Sequence, residues 1–386
     1  MKRFILRAWP LAILFIGAGM SIVVPNKYDS SLFYNPPQQA LNNSEAAYYN
    51  ENVMTAGLTP SVHSATVVPL GNGRLLGMWY GGSREGHTDV ALYQAYYNPD
   101  NKQWFAHKKV LDRLDASNNL NRYVKKIGNP VLVKHPQGPI ALFYVTVSLG
   151  GWATSQINMA LSFDDGQTWH ESKRLVTSPF LNISTLVKND AVIYQDGTIG
   201  ITAYHELIGE FSEIIRVNLN GEVIQKYRMT DGDYTIQPSV IVQSETDAIA
   251  LIRDSSRHTQ KVHFTSTNDA GKTWSPYKAL EVDNPNSAVY GFSDHSGDQW
   301  MVFNNANRNV DHPRNNMALA LSKDGGHTWS VKHYFENKEQ ALSLDHKYGY
   351  PWLSKDDNGH YHLFYTVDRE FIKHIEFNYA WLEQIK

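Results

Sequence analysis

The chain is expected to be an all-β protein, a six-bladed β-propeller preceded by an apolar N-terminal segment. Three observations predict this. One turn with the spacing Ser/Thr-x-Asp-x-Gly-x-Thr-Trp occurs three times, at Ser162–Trp169, Thr267–Trp274 and Ser322–Trp329. A worn copy sits at Asn98-Pro99-Asp100-Asn101-Lys102-Gln103-Trp104. Short alternating apolar runs flanked by Gly, Asn and Asp recur at intervals of roughly 50 residues, the length of a four-stranded blade. No long stretch carries a helical period. In each turn Asp accepts bonds from nearby backbone N–H groups, Gly takes the positive-φ position and Trp packs back over the loop.

The N-terminus differs in kind. Lys2, Arg3 and Arg7 precede an uncharged apolar run from Ala8 to Pro25. Residues 1–25 are therefore expected to be a signal anchor, with a cleaved signal peptide as the alternative, Gly17-Ala18-Gly19 offering small residues for cleavage. The basic flank directs the rest of the chain across the membrane. The protein is expected to be exported, anchored in the inner membrane and facing the periplasm, or secreted if the segment is removed. Residues 26–55, polar with Pro36-Pro37, are expected to form a linker. Residues 56–386 form the propeller.

Its strand pairs follow in order. Ser61 to Tyr80 is a hairpin around Gly71-Asn72-Gly73, and Asp89 to Tyr97 a further strand. Asn129 to Lys134 pairs with Pro139 to Val147, and Ser155 to Ser162 runs into the first full turn motif. Hairpins follow at Gln195-Asp196-Gly197 and Leu219-Asn220-Gly221. Later strands are Ser239 to Ile252, Lys261 to Ser266, Ala288 to Phe303, Met317 to Ser322 and Pro351 to Tyr365. About 320 residues make six such blades.

Composition excludes several functions. With 35 basic and 38 acidic residues the formal net charge is −3, which does not suit a nucleic-acid partner. There is no cysteine, hence neither a disulfide framework nor thiolate chemistry. The 16 histidines show no metal-ligand spacing; His360 and His362 share a strand face and are read as a solvated pair. No metal and no cofactor is expected. The 22 Tyr, 10 Trp and 15 Phe are read mainly as core and turn packing.

The three turns resemble the Asp boxes, or BNR repeats, of the sialidase superfamily of six-bladed propellers, over most of the chain from Ser61 to Ile375. The resemblance implies a set of arginines that hold a substrate carboxylate, a task suited to the planar fork of guanidinium donors. The matching positions are Arg84 in Gly81-Gly82-Ser83-Arg84-Glu85-Gly86, Arg253 at the end of Ala248–Arg253, and Arg314 ahead of the third Asp box. The family's general acid, an aspartate soon after the first-blade arginine, corresponds to Asp89. Its tyrosine nucleophile corresponds to Tyr348, with Tyr350 as competitor. A neutral nucleophile avoids repulsion from a carboxylate on the anomeric carbon.

Two positions depart from the family. His63 stands where the leading arginine is expected, and Gln237 where a glutamate would take the tyrosine's proton. Glu206 is a candidate substitute base. The pattern resembles the divergent bacterial "predicted neuraminidase" branch, which carries segments like Asn284-Pro285-Asn286-Ser287 and Lys188-Asn189. The resemblance implies an exo-glycosidase releasing a terminal acidic 2-keto sugar, a sialic acid or Kdo-like sugar, from a glycan, and the chain is expected to be monomeric. Arg84, Arg253 and Arg314 would bind the substrate; Asp89, Tyr348, His63 and Gln237 would be the catalytic set. The alternatives are a polysaccharide lyase acting on a uronate through His63 and a tyrosine, and a non-catalytic glycan-binding or assembly propeller.

Overall fold

A computed structural model describes residues 31–35, 45–179, 182–232, 234–337 and 346–386; the expected anchor at 1–25 lies outside them. Six antiparallel sheets form around a central axis, one per blade. The first strand, β1 (Tyr49–Val53), belongs to the last blade. Blade one is β2 (Ser61–Gly71), β3 (Arg74–Gly82), β4 (Ala91–Asn98) and β5 (Gln103–Asp112). Blade two is β6 (Lys126–Lys134), β7 (Ile140–Val147), β8 (Gln156–Ser162) and β9 (Lys173–Arg174). Blade three has a broken inner strand, β10 (Leu186–Val187) and β11 (Val192–Ile193), followed by β12 (Ile199–Tyr204), β13 (Ser212–Val217) and β14 (Val223–Arg228).

Blade four is β15 (Thr235–Val242), β16 (Ala248–Asp254), β17 (Lys261–Thr267) and β18 (Lys278–Asp283). Blade five is β19 (Tyr290–Ser293), β20 (Gln299–Phe303), β21 (Met317–Ser322) and β22 (Ser330–Glu336). Blade six is β23 (Tyr348–Lys355), β24 (Tyr361–Val367) and β25 (Phe371–Phe377), completed on its outer edge by β1. Among the described residues helices are confined to α1 (Arg113–Asn119) and α2 (Tyr379–Ile385) and one 3₁₀ turn at Trp152–Thr154. None of the helices among the described residues is long and apolar enough to cross a membrane.

The ring closes by pairing β1 with β25, Tyr49 opposite Phe377 and Val53 opposite Lys373. Residues 49–53, inside the span expected to be linker, are thus a propeller strand. Further upstream Phe33 is wholly buried and bridges Tyr194. Its N–H donates to the Glu245 carbonyl, and that of Tyr34 to Ile193. The reason is apolar burial: Phe33 fills a cluster with Val192, Tyr194 and Ile214 that the blades leave unfilled.

The three Asp boxes share one geometry. In each, the Asp side chain accepts from the Thr backbone N–H at 2.9 Å and from the Thr hydroxyl at 2.6 Å. The opening Ser or Thr hydroxyl accepts from the Gly N–H, and Gly166, Gly271 and Gly326 sit at positive φ. The boxes join third to fourth strands, so they share one end of the propeller with the turns between first and second strands. The opposite end carries the loops between second and third strands. His362 is wholly buried and bonded to His374 at 2.9 Å, rather than solvated.

Candidate functional site

At the end away from the Asp boxes, a recurrent irregularity shapes the channel. In every blade a non-glycine residue at or just before the inner strand has positive φ: Ser64, Asn129, Ser184, Gln237, Asn286 and Tyr350. In β2, β6, β15 and β23 the pairing register slips at this point. A bulge of this kind bends the strand and re-aims one side chain, and the strain of a positive φ is tolerated where the fold enforces it. Asn129, Gln237 and Tyr350 are thereby turned into a cavity of about 240 Å³.

Second-to-third-strand loops supply Glu85, Trp152, Glu206, Arg314 and Arg369, and strand residues Leu186 of β10, Tyr204 at the end of β12 and Arg253 near the end of β16 complete the wall. The segment Asn284–Ser287 sets two of the arginines. Asn284 and Ser287 bond each other through side chain and backbone, fixing Asn286. The Asn286 side chain accepts from Arg253 Nε at 2.7 Å, and its carbonyl accepts from Arg314 Nη2. Arg369, in the β24–β25 turn, pairs with Glu85 at 2.5 Å, and its own carbonyl accepts from Val62 N–H at 2.7 Å. Burial first, then the charges of Arg253, Arg369 and Arg308, push Arg314 down to about 10. Three guanidiniums with one nearby paired carboxylate make a preformed place for an anion.

Tyr350 faces this cluster. Gln237 Nε2 donates to its hydroxyl oxygen at 3.0 Å and to that of Tyr204 at 3.2 Å, while Gln237 Oε1 accepts from Arg253 at 2.9 Å. The His63 ring lies 4.0 Å from the Tyr350 ring, and its Nδ1 shares a 2.9 Å hydrogen bond with Thr366. Burial, then the charges of Arg369, Arg314, Lys188 and Arg253, hold His63 well below its ordinary value, so it is neutral. Glu206 is shifted the other way: burial and then Glu210 raise it, against Arg253.

Lys188 and Asn189, in the break between β10 and β11, staple the channel. Lys188 donates to Asn189 Oδ1 and to the Pro351 carbonyl, and Asn189 Nδ2 to the carbonyls of Gln237, Pro238 and Val289. Burial lowers Lys188 to about 7 against the pull of Asp190. These bonds tie the inner strands of blades three to six at the level of the bulges.

Of the expected residues, the structure brings together Arg253, Arg314 and Gln237 at the cavity and His63 just behind it. Arg84 is not there. It is exposed, because along the β3–β4 loop Glu85 takes the inward place and Arg84 the outward one. The third guanidinium is Arg369, from a turn of blade six. Asp89 is also outside the cavity, its side chain half exposed. It braces its own loop, accepting from Ser83 N–H at 2.9 Å and sharing a 2.9 Å contact with His87. Desolvation, the largest single effect, raises its carboxyl, but the bonds from His87 and Ser83 together hold it below the ordinary value.

Tyr348 lines a different cavity, with Glu336, His346 and Lys373. Two residues apart on a regular strand, Tyr348 and Tyr350 would share a face; the bulge between Gly349 and Trp352 separates them. Asn129, Trp152, Tyr204, Glu85 and Arg369 were not legible as site residues. The signal available for Asn129 was its place at the site end of an inner strand, equivalent to Gln237. Among the described residues no group of three or more His, Asp or Glu is placed to hold a metal.

In sequence, residues 73–363 match the BNR repeat-like domain. No curated protein matches the chain. Among solved structures, a Hadza microbial sialidase superposes with a TM-score of 0.65 at 18% identity, over 85% of this chain and 67% of that one. The intramolecular trans-sialidase of Ruminococcus gnavus, solved with oseltamivir carboxylate, gives 0.64 at 14%, over 86% and 98%. A Dyadobacter fermentans protein of unknown function gives 0.66 at 11%, over 85% and 97%. At such identities the likeness is one of fold, and it matches the blade count and the Asp-box turns. With three quarters of its length matched, the chain belongs to the BNR repeat-like domain family, as a divergent member built on the sialidase-type six-bladed propeller.

Proposed function

We propose that this protein is an exo-acting glycoside hydrolase that removes a terminal sugar bearing a carboxylate beside its anomeric carbon. The observation that carries the reading is the convergence of Arg253, Arg314 and Arg369 on one cavity beside the Tyr350 hydroxyl. The arginines hold the substrate carboxylate. Glu206, whose carboxyl burial raises above its ordinary value, is the group that gives a proton to the leaving oxygen as the anomeric C–O bond breaks. Tyr350 stays a phenol and faces the electron-poor anomeric carbon with its oxygen, since Gln237 accepts no proton from it. Water then adds to that carbon and returns a proton to the Glu206 carboxylate. Sialic acid and Kdo-like sugars have the required chemistry.

One observation favours a second reading. His63, neutral and packed against Tyr350 with the rings tilted, is a base of the kind that β-elimination from a uronate requires. Export with the chain held by residues 1–25 is part of the proposal. The Phe33 segment docks on the turns at Glu245 and Ile193–Gln195, at the end opposite the cavity, so an anchored chain turns its cavity away from the membrane. Incubation with 3′-sialyllactose and with a Kdo-terminated oligosaccharide tests the reading. Release of free 2-keto acid supports it; an ultraviolet-absorbing unsaturated uronate from a uronate polymer, without 2-keto acid release, replaces it with elimination.

A further inference from the structure

On the rim of the cavity, between the loops of blades one and two, stands a cation that the site chemistry does not use. Lys126, near the start of β6, is partly buried, and its Nζ lies 4.0 Å from the centre of the Trp152 ring. The arrangement is built. Gly128, two residues on and facing the same way, leaves room for the indole: a Cβ there would sit 2.8 Å from Trp152. On the other side the amine approaches Gly86, where a Cβ would lie 3.5 Å from Nζ. Trp152 and Glu85, the neighbour of Gly86, both line the cavity.

Among the described residues Lys126 has no carboxylate within 4 Å and no hydrogen-bond acceptor, unlike Lys188, whose amine donates to two oxygens. Burial and then Lys125 lower its pKa, against the more distant charge of Glu85, so the charge is held at some expense. A lysine kept partly desolvated over an aromatic face, with no carboxylate at bonding distance, fits an anion that arrives with the ligand.

We propose that Lys126 and Trp152 form a leaving-group subsite for a second acidic sugar, so that the substrate is a polyanionic glycan with acidic residues in adjacent positions. This rests on the hydrolase reading above. The terminal sugar's carboxylate occupies the arginine cluster, its neighbour lies against the edge of Trp152, and the neighbour's carboxylate, sulfate or phosphate meets Lys126 Nζ. Glu85, already paired with Arg369, does not compete for the lysine at bonding distance.

The test compares an acidic with a neutral leaving group, using α2,8-linked disialic acid and 3′-sialyllactose, in wild type, Lys126→Met and Lys126→Arg. Wild type is expected to favour the acidic leaving group in kcat/KM, with a preference that shrinks as salt rises. Lys126→Met should lower the selectivity ratio about fivefold, the weight of one partly screened charge pair of about 1 kcal/mol. Lys126→Arg should restore it. An unchanged ratio, or an equal fall on both substrates from a collapsed Trp152 wall, overturns the subsite while leaving the hydrolase reading intact. If wild type hydrolyses neither, the same comparison is made with Kdo-terminated oligosaccharides carrying an acidic or a neutral leaving group, and release of 2-keto acid from none of the four overturns both.

Discussion

Replacing Arg314 by methionine distinguishes a guanidinium kept for a ligand from one kept for the fold. Arg314 is held at about 10 against an ordinary 12.5, by burial and by Arg253, Arg369 and Arg308. That depression corresponds to about 3 kcal/mol of disfavour for the charged form in the folded protein. Solvent at the cavity mouth screens part of it, and losing the bond to the Asn286 carbonyl takes back about 1 kcal/mol. Arg314→Met is therefore expected to leave unfolding free energy unchanged or raise it by about 1 kcal/mol. A structural, buried arginine would instead lose several kcal/mol. Activity should go the other way. One charge-assisted bond to a carboxylate contributes about 1.5–3 kcal/mol, so kcat/KM for release of the acidic sugar should fall between about 10- and 150-fold. Denaturant titration and initial rates measure the two quantities, and free sialic acid should raise the melting temperature of wild type but not of the variant. Loss of more than about 2 kcal/mol of stability, or undiminished activity, would refute the reasoning.

Three other outcomes are expected. Tyr350→Phe should lower kcat by about 100-fold or more, whereas Tyr348→Phe, in another cavity, should leave kcat at the wild-type value. Activity that needs protonated Glu206 should fall as pH rises through its raised pKa; Glu210→Gln removes a charge that raises it and should move this alkaline limb to lower pH, while Glu206→Gln should abolish it. Phe33→Ala should cost about 3–5 kcal/mol by denaturant titration, although the residue lies in a stretch that reads as a tether.

The fold was legible because its signals are local and repeated. An Asp box closes on itself within eight residues, as Ser322, Asp324, Gly326 and Thr328 do, so its spacing survives without knowledge of the neighbours. The arginines Arg253 and Arg314 were legible for a similar reason, standing at fixed offsets from strand ends and from such a turn. Tyr350 and Arg84 show where this stops. The face a strand residue takes follows from counting by two only while the strand is regular, and a bulge with φ near 58° at Tyr350 breaks the count. In Tyr348-Gly349-Tyr350-Pro351 the one local signal of that bulge is Pro351; the same irregularity stands at Asn129 and Gln237, each also followed by a proline, and Lys188 bonds the Pro351 carbonyl in the channel.

His63 and Arg369 take the same point further. Read alone, a histidine where an arginine is expected removes one of three charges from the pocket. In the folded chain the carbonyl of Arg369 accepts from the N–H of Val62, the residue before His63. The last blade thus delivers its guanidinium beside the position that the first strand has given up, and Glu85 from the first blade pairs with it at 2.5 Å. The cation count of the cavity is maintained across the seam where the propeller closes. His63, held well below its ordinary value by burial first and then by Arg369, packs against Tyr350 with the rings tilted. A cluster assembled this way depends on ring closure. Loss of the β1–β25 pairing should loosen Arg369 and the first-blade loop together, and with them the anion site, before any inner strand of the other blades is disturbed.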